Sequence, residues 1–398
     1  MPQAPERPEI DFTDGRFFAG DKHRAFDWMR ANEPVYRDTN GIWGVTLHED
    51  VTEVSRRPET FCSRHGFQPD APPMPMMINM DRPEHLVRRN LVNRGFTPRR
   101  VAAMEPGIRR VCGEILDAVC ERGECDFVRD IAAPLPLIVT GDLLGVAPED
   151  RADLLRWSDI MISATGSPDP TMLEQAGQAL AEYSAYSRKV VADRRSRGPE
   201  DDLVSILVHA EIDGERLDDD SILYESLLIL IGGNDTTRHA LSGGTYQVLV
   251  NPEARRRLVA DAGAIPGAVE EMLRWVTPIQ NMMRTATVDT VLRGRDVKQG
   301  DRLLLMYVSA NRDDRVFERS HSFDISRTPN PHLAFGFGNH FCLGSNLARL
   351  ELRVMLEELL RRMPDLEYTG EGEPPTRPAN FITGYETMPV RFTASRPE

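Results

Sequence analysis

The feature that most constrains this chain is a single cysteine in a glycine-rich loop directly before a predicted helix. The loop, Phe-Gly-Phe-Gly-Asn-His-Phe-Cys-Leu-Gly, spans residues 335–344, and leucines at helical spacing follow it as far as Leu356. Glycines permit a tight turn whose backbone can come close to a flat ligand. Cys342 then precedes a helix N-terminus, where unpaired N–H groups and the helix dipole stabilise a thiolate. The pattern therefore predicts that Cys342 binds a metal ion, and iron in particular.

The complete spacing Phe-Gly-x-Gly-x-His-x-Cys-x-Gly is specific, whereas an isolated Cys-x-Gly would equally fit a surface turn with a free cysteine. A dinucleotide-binding loop is disfavoured because a phenylalanine stands where the third glycine is required. The loop resembles the haem-binding loop of the cytochrome P-450 superfamily of haem-thiolate monooxygenases. That resemblance implies haem b (iron protoporphyrin IX) as cofactor and dioxygen as co-substrate. It makes Cys342 the iron ligand and places Phe335 and Gly344 against the haem.

Composition narrows the class of protein. The 398 residues contain no linker, repeat or low-complexity tract, so we expect one domain over residues 1–398, with residues 1–12 disordered. The longest apolar run, residues 227–231, is far shorter than the roughly 18 residues of a membrane span. Residues 1–9 lack the apolar core of a signal peptide. We therefore expect a cytoplasmic protein that is not integral to a membrane.

Charge and cysteine content exclude two further classes of site. The net charge of −14 argues against nucleic-acid binding. Five cysteines, an odd number, favour free thiols over a disulfide framework. Cys120 and Cys125 have the first spacing of a plant-type iron–sulfur site, but the third cysteine is absent, so we exclude a cluster.

Hydrophobic periodicity predicts a mainly α protein with small β-sheets. Helices are predicted over residues 22–31, 50–57, 83–94, 98–121, 135–144, 149–162, 171–197, 219–250, 253–262, 266–276 and 344–362. Short strands are predicted near residues 35–36, 42–46, 284–288, 291–292, 303–304, 382 and 390–392. Residues 311–333 are predicted to form a loop. The family resemblance adds an arrangement: the haem is buried between a long central helix and the helix after the cysteine loop.

Residues 67–80 contain four prolines and four methionines, and the prolines exclude a helix. Long loops in compact domains are often functional, and methionine adapts well to apolar ligands. The methionines could equally fill the core beneath the loop, and the sequence leaves both interpretations open.

The predicted central helix contains a sequence that should disturb it. Residues 227–231 are apolar on every face, which indicates a buried helix, and Gly-Gly-Asn-Asp-Thr-Thr follows at residues 232–237. Two glycines cost about 2 kcal/mol of helix propensity, so we expect a local opening. Taken alone, the stretch could also be two helices, the second capped by Asn234 or Asp235. It resembles the oxygen-binding groove of the family, which implies that Thr236 hydrogen-bonds bound dioxygen and that Asp235 relays protons.

Glu271 and Arg274 are three residues apart on a predicted helix, so their side chains can pair. On its own such a pair would usually mark a solvated helix face. It coincides with the family's Glu-x-x-Arg pattern, which implies a structural pair that takes a further arginine from the later loop. Arg327 is the candidate for that arginine.

Burying the two haem propionates demands cations and hydrogen-bond donors. The resemblance implies such contacts from His85, Arg89, Arg284 and His340. His85 and Arg89 are four residues apart and share a helix face, although a surface pair at these two positions would explain the spacing as well.

In detail the chain is similar to bacterial steroid hydroxylases of cholesterol catabolism that oxidise the terminal (C26/C27) methyl of the side chain of cholesterol or cholest-4-en-3-one, possibly onward to the acid. The similarity lies in residues 120–127, 228–233, 332–338 and 377–381. The expected pocket lining is apolar and suits a long hydrocarbon: Met76, Met77, Ile78, Leu228, Gly232, Ile279, Met282, Met283, Phe381 and Ile382. Another long apolar substrate (a fatty acid or terpenoid), a peroxide-driven enzyme and a non-enzymatic haem sensor or carrier are the alternatives.

The sequence contains no nicotinamide or flavin fingerprint, so electrons must come from outside. We expect a ferredoxin and an NAD(P)H-dependent ferredoxin reductase. A local excess of arginine between residues 82 and 110 is a candidate docking face for an acidic partner, and a solvated basic helix face explains it equally well. Its arginines are Arg82, Arg88, Arg89, Arg94, Arg99, Arg100, Arg109 and Arg110.

Overall fold

The computed structural model describes residues 7–164, 169–212 and 215–398. Its described part is mainly helical with small sheets, as predicted. The helices are α1 (Gly15–Ala19), α2 (Lys22–Asn32), α3 (His48–Arg56), α4 (Glu84–Val92), α5 (Pro98–Ala103), α6 (Glu105–Cys120), α7 (Pro134–Leu144), α8 (Arg151–Ser163), α9 (Pro170–Ser196), α10 (Leu203–His209), α11 (Asp219–Val250), α12 (Pro252–Ala260), α13 (Ile265–Val276), α14 (Tyr307–Ala310) and α15 (Ser345–Arg362). A π-helical segment spans Phe127–Ala132, and a 3₁₀ turn spans Met77–Asn79.

One predicted helix is two. The predicted helix over residues 98–121 divides into α5 and α6, and Pro106 lies in the first turn of α6. Proline has no N–H and fits only the first turn of a helix, so it begins a new helix here. The prediction also missed α10, which starts at a cap where Asp202 accepts a hydrogen bond from the Ser205 N–H at 2.7 Å.

The strands form one larger sheet and several small ones. They are β1 (Val35–Arg37), β2 (Trp43–Val45), β3 (Phe61–Cys62), β4 (Glu124–Asp126), β5 (Glu211–Ile212), β6 (Glu215–Arg216), β7 (Met282–Ala286), β8 (Thr290–Leu292), β9 (Arg295–Val297), β10 (Arg302–Leu305), β11 (Glu367–Tyr368) and β12 (Pro389–Arg391). The sheets have the orders β1-β2-β10-β7-β3, β11-β12-β4, β5-β6 and β8-β9. The strand predicted near Ile382 is only an isolated bridge to Ile279.

The N-terminal segment differs from its prediction. Residues 1–6 lie outside the described residues, but residues 7–12 are ordered against the sheet. Ile10 and Phe12 are buried beside Tyr36. The Phe12 N–H donates to the Asp38 carboxylate at 3.0 Å. The expectation of disorder over residues 1–12 is therefore wrong for its second half, where two apolar side chains complete a core cluster.

Helix α11 crosses the core without a break. It begins at an Asp218 cap, which accepts from the Ser221 N–H at 2.7 Å, and continues through Gly232 and Gly233 to Val250. The two-helix alternative is therefore wrong, and the expected opening does not interrupt the helix. Packing against α7, α13 and α15 overrides the low propensity of the glycines.

All five cysteines are free thiols, as their odd number favoured. Within the described residues, no group of three or more His, Cys, Asp or Glu side chains is placed to hold a metal ion. Across the same residues, no helix combines the length and the apolarity that crossing a bilayer requires.

Candidate functional site

A large cavity lies between α11, α4, β7 and the cysteine loop. The space between its walls is about 1400 Å³ with the open solvent at its mouth included. The walls bring together segments that are far apart in the chain, from Met77 to Glu351. The predicted site residues that line it are Met77, Ile78, His85, Arg89, Leu228, Gly232, Thr236, Ile279, Met282, Arg284, Phe335, His340, Cys342 and Gly344.

Four predicted wall residues do not line this cavity. Met283 follows Met282 in β7, and since neighbouring strand residues point to opposite faces, it lies in the core cluster that also contains Phe12. Phe381 is buried with its ring 5.1 Å from that of Phe67. The other two are also buried elsewhere: Ile382 at 3% exposure and Met76 at 2% exposure.

The cysteine loop has the backbone that its glycines predict. Gly336 and Gly338 have φ of 68° and 76°, in the left-handed region that favours glycine. A Cβ on Gly338 would lie 2.7 Å from the Ser55 carbonyl oxygen, so a side chain there would displace the loop. The Cys342 N–H donates to the Phe335 carbonyl at 2.8 Å, which fixes the cysteine above the start of α15.

The charge state of Cys342 depends on what binds it. Burial raises the pKa of the Cys342 thiol, while the Gly344 N–H and the charges of Arg89 and Arg349 oppose that rise. The helix N-terminus alone therefore does not supply the expected thiolate. A coordinated metal deprotonates a thiol outright, and the same donors then stabilise the sulfur anion.

Four imidazole and guanidinium groups converge on one side of the cavity. The His85 and His340 rings lie 4.2 Å apart, and burial together with neighbouring arginines lowers their pKa values, to about 4 for His85 and about 2 for His340. Both rings are thus neutral, with one N–H each to donate. Arg89 donates to the Phe341 carbonyl at 2.6 Å, and Arg284 donates to the Met283 carbonyl at 2.6 Å.

These four side chains have hydrogen-bond donors that the described residues do not use. His85 Nε2 is buried without a hydrogen-bond partner in the described residues. Among those residues no carboxylate forms an ion pair with Arg89 or Arg284. Two cations and two neutral donors without carboxylate partners fit the two propionates of a haem. The orphaned His85 nitrogen is the observation that carries this fit.

The central helix presents a hydroxyl to the cavity and a carboxylate away from it. Thr236 Oγ1 donates to the Gly232 carbonyl at 2.6 Å within α11. Asp235 is fully buried beside Arg238, with which it forms an ion pair, and it does not line the cavity. Burial raises the pKa of Asp235 to about 6, against the attraction of Arg238. The two residues predicted to act together therefore face different sides of the helix.

Glu271 and Arg274 form the predicted pair, and both side chains are fully buried. Arg274 donates to both Glu271 oxygens at 2.7 and 2.8 Å, and also to backbone carbonyls of the loop over residues 311–333. Arg327, the candidate third partner, donates to Glu271 Oε2 at 3.2 Å. The network holds the segment that leads into the cysteine loop.

Sequence reasoning missed several cavity residues. Glu351 is fully buried in α15, and burial raises its pKa to about 8, opposed by a hydrogen bond with Thr237. The available signal was an acid on the apolar face of the helix, four residues after Leu347. Thr140 and Tyr307 also line the cavity. These two are polar residues in apolar stretches, and no local pattern distinguishes them.

Relatives named for oxidations of steroids and branched lipids match most or all of the chain. A steroid C26-monooxygenase of Mycolicibacterium smegmatis is 51% identical, and the alignment covers 100% of this chain and 99% of the relative. A steroid C26-monooxygenase of Mycobacterium tuberculosis is also 51% identical, over 98% of this chain and 99% of its own. A methyl-branched lipid omega-hydroxylase of Mycobacterium tuberculosis is 38% identical, and the alignment covers 92% of this chain and 87% of the relative.

Solved structures share the fold. The cytochrome P450 CYP268A2 of Mycobacterium marinum, in complex with pseudoionone, superposes with a TM-score of 0.90 at 34% identity, covering 98% of this chain and 100% of its own. CYP109E1 of Bacillus megaterium, in complex with testosterone, superposes with a TM-score of 0.85 at 33% identity, covering 93% of this chain and 99% of its own. The Cytochrome P450 family model matches residues 156–387. The cysteine loop, the cavity above it and these matches agree, and the chain belongs to the cytochrome P450 family, whose members use a haem-thiolate centre and dioxygen.

Proposed function

We propose that this chain is a steroid monooxygenase that hydroxylates the terminal methyl of the side chain of cholesterol or cholest-4-en-3-one, with onward oxidation to the acid by repeated turnover. The observation that carries the proposal is the 51% identity over the whole chain with steroid C26-monooxygenases. The cavity supports it, because the wall opposite the cysteine loop is built from apolar side chains such as Leu228, Ile229 and Met282. Such a wall suits a long hydrocarbon.

We infer that the cofactor is haem b, held by Cys342 as thiolate and by His85, Arg89, Arg284 and His340 at its propionates. When bound, it supplies the activation of dioxygen that puts one oxygen atom into a C–H bond and releases the other as water, at the cost of two electrons and two protons. The residues of the chain then have separate tasks. The Gly344 N–H stabilises the sulfur anion, and Thr236 holds a hydroxyl proton at the cavity wall.

Attack at a terminal methyl is harder than attack at a tertiary carbon, so selectivity must come from positioning. The cavity walls do this by excluding water and fixing the hydrocarbon. Asp235 is the proposed proton donor to the Thr236 side of α11. Because the Asp235 side chain lies beside Arg238, it must turn or act through water to reach the cavity. We also infer that the whole chain forms one domain, since residues from Met77 to Glu351 line one cavity.

Electrons are proposed to come from a ferredoxin and its NAD(P)H-dependent reductase. The predicted docking face is smaller than the sequence suggested. Arg88 is mostly buried beside Glu225 at 3.6 Å, Arg109 binds Glu105, Glu357 and Glu358, and Arg100 pairs with Asp201 at 2.5 Å. The exposed arginines of this stretch that form no ion pair within the described residues are Arg82, Arg94, Arg99 and Arg110.

Two spectra test the proposal. The reduced, CO-treated protein should give the thiolate absorption signature, and Cys342→Ala should lose it. Titration with cholest-4-en-3-one should shift the haem absorption of the oxidised protein more strongly than titration with fatty acids, and product analysis should find the terminal alcohol. A shift with branched fatty acids alone would favour the second candidate, a branched-lipid hydroxylase, which the 38% identity to the methyl-branched lipid omega-hydroxylase supports.

The remaining alternatives can be distinguished from the proposed function by the source of electrons and by whether product forms. A peroxide-driven enzyme would form product with hydrogen peroxide as fast as with ferredoxin, reductase and NADH. A haem sensor or carrier would bind the sterol and release no product.

A further inference from the structure

A buried glutamate ties the cavity wall to the central helix. Glu225 lies in α11 with 0% of its side chain exposed. Its Oε1 accepts a hydrogen bond from the Met77 N–H at 2.9 Å, and Met77 lines the cavity. Its Oε2 is buried with no hydrogen-bond partner in the described residues. A buried carboxylate is costly unless it is paired, so an apolar residue would suit packing alone better.

The same carboxylate also reaches the helix that carries two predicted haem contacts. Arg88 Nη1 in α4 lies 3.6 Å from Glu225 Oε1, and Arg88 Nη2 donates to Ser221 Oγ in α11 at 3.1 Å. His85 and Arg89 are on α4 as well and line the cavity. Glu225 therefore lies where α11, α4 and the chain around Met77 meet.

We name residues 76–80 the roof segment. Just past its second end the chain is joined to the cysteine loop, because Arg82 Nη2 donates a hydrogen bond to Asn339 Oδ1 at 3.3 Å. Within it, Asn79 Nδ2 donates to the Met74 carbonyl at 3.0 Å. The roof segment thus spans from the central helix to the cysteine loop, and Glu225 provides the side-chain bond at its first end.

We propose that Glu225 is a positioning residue that sets substrate affinity and the carbon that is hydroxylated, by holding the roof segment through the Met77 amide. The inference rests on the proposed function and deepens it. Glu225 itself does not line the cavity. It acts on the substrate through Met77 and Ile78, which form part of the apolar wall. A wall that moves by about 1 Å changes which C–H bond is presented and can lower the rate by up to about 100-fold.

The charge of Glu225 makes this positioning sensitive to pH. Burial raises the pKa of Glu225 to about 7, while Arg88 and the Met77 N–H oppose the rise. The groups beside it are Arg88 from α4 and the Met77 amide from the roof segment. Ser221 of its own helix bonds Arg88. Below about pH 7 the carboxyl is neutral and its attraction to Arg88 is lost. Substrate affinity should therefore be lower at pH 6 than at pH 8.

Three variants of the holoenzyme test the proposal. Glu225→Leu removes the acceptor and the charge, Glu225→Gln keeps an acceptor for the Met77 N–H but removes the charge, and Asp220→Asn is the control. Asp220 is an exposed acid on the same helix, 3.7 Å from exposed Arg188, so its loss removes one negative charge away from the roof segment. The readouts are cholest-4-en-3-one affinity from the absorption shift, the pattern of hydroxylated products, hydrogen exchange of the peptide over residues 74–80, and the CO spectrum.

We expect Glu225→Leu to keep the thiolate CO signature, to bind the sterol about tenfold more weakly, to hydroxylate more than one carbon and to exchange the 74–80 peptide faster. Glu225→Gln should resemble the wild type at pH 6 at every pH, and Asp220→Asn should resemble the wild type throughout. Unchanged affinity, products and exchange in Glu225→Leu would overturn the inference. If Glu225→Leu fails to fold, the pH profile decides, and a Glu225→Gln variant that keeps the wild-type pH dependence overturns it.

Failure of the proposed function looks different. A wild-type enzyme that neither binds nor oxidises cholest-4-en-3-one contradicts the steroid assignment, whereas the exchange of the 74–80 peptide in the substrate-free variants still reports whether Glu225 holds the roof segment.

Discussion

Two buried clusters of charged side chains flank the cavity, and they differ in how completely their polar atoms are bonded. Behind the cysteine loop, Arg274 uses its guanidinium on Glu271 and on the carbonyls of Asn311, Ser320 and Ser322. Glu271 also accepts from the Asp324 N–H at 2.8 Å and from Asn330 Nδ2 at 3.1 Å. We call this the bonded cluster.

The second cluster lies behind the central helix, and its polar atoms are less completely hydrogen-bonded. Asp235 and Arg238 form an ion pair, and Arg238 donates to the partly exposed Asp159 at 3.0 Å. Both carboxylate oxygens of Asp235, both ring nitrogens of His239 and one Arg377 nitrogen are buried without a hydrogen-bond partner in the described residues. Buried polar atoms without protein partners are where ordered water binds. We call this the open cluster.

From this difference we expect the bonded cluster to support the fold and the open cluster to take part in proton delivery. Every polar atom of Arg274 has a fixed partner, so the bonded cluster can only hold the backbone that leads to Cys342. The open cluster can exchange partners and admit water, which is what proton delivery requires. Asp159 brings the open cluster to the surface, whereas Thr236, the residue after Asp235, lines the cavity on the other side of α11. The comparison predicts that changes in the first cluster cost folding, and that changes in the second cost turnover.

The largest effect is expected from Arg274→Met. Removing one partner of a fully buried ion pair takes from Glu271 the arginine that bonds both of its oxygens and leaves it Arg327 at 3.2 Å. We expect a cost of about 3–5 kcal/mol in the free energy of unfolding. Urea unfolding and haem content should show a protein that barely folds or fails to hold haem. The control is Lys298→Met, which breaks an exposed pair with Asp289 at 3.0 Å and should change stability by no more than about 1 kcal/mol. Wild-type stability in Arg274→Met would erase the distinction between the clusters.

In contrast to Arg274→Met, Asp235→Asn should leave the protein folded and lower product formation by about 100-fold. Burial raises the pKa of Asp235 to about 6, above its ordinary value of 3.8. The stability this carboxyl contributes is therefore present below that ordinary value and is lost as pH rises through about 6. Asparagine cannot ionise, so the free energy of unfolding of the variant, measured with urea, should rise relative to that of the wild type between pH 5.5 and pH 7.5. A variant that is both inactive and strongly destabilised at pH 7.5 would place Asp235 with the bonded cluster.

Thr236→Ala tests the cavity side of α11, next in sequence to the open cluster. Among the described residues the Thr236 hydroxyl bonds only to the Gly232 carbonyl of the same helix, so folding should be unaffected. The yield of product per NADH should fall about tenfold, with hydrogen peroxide released instead, because the proton is no longer held at the wall. Thr236→Ser keeps the hydroxyl and should keep most of the coupling. Unchanged coupling in Thr236→Ala would show that the hydroxyl has no part in proton transfer.

Sequence alone predicted the parts of the site that depend on local spacing. The turn around Cys342, the pairing of Glu271 with Arg274 and the shared face of His85 and Arg89 follow from glycine conformation and helical periodicity. The length of α11 also followed from its apolar pattern, although packing decided that two adjacent glycines would not break it.

What failed depended on long-range packing. Which of Met282 and Met283 faces the cavity is set by the register of β7 on β10, where Met283 pairs with Leu304. Two of the three partners of Arg109, Glu357 and Glu358, lie 248 and 249 residues along the chain. The neighbouring sequence therefore could not show that these ion pairs remove Arg109 from the docking face. For the same reason the tie between Met77 and Glu225, 148 residues apart, had no local signal.

The smallest effect concerns the surface, where charge contributes little to folding and can serve recognition instead. Arg99 is exposed and forms no ion pair within the described residues. Arg99→Glu should slow reduction by ferredoxin about threefold at low salt, and the effect should fade as salt screens charges beyond about 10 Å. Stopped-flow reduction under CO measures it, and Arg256→Glu, the same change on exposed α12, is the matched control. Equal slowing in both variants would mean that net charge, not a face near Cys342, governs the encounter. A loss of stability in Arg99→Glu would show that this arginine belongs with the buried pairs, because an exposed charge free of partners has no folding contact to lose.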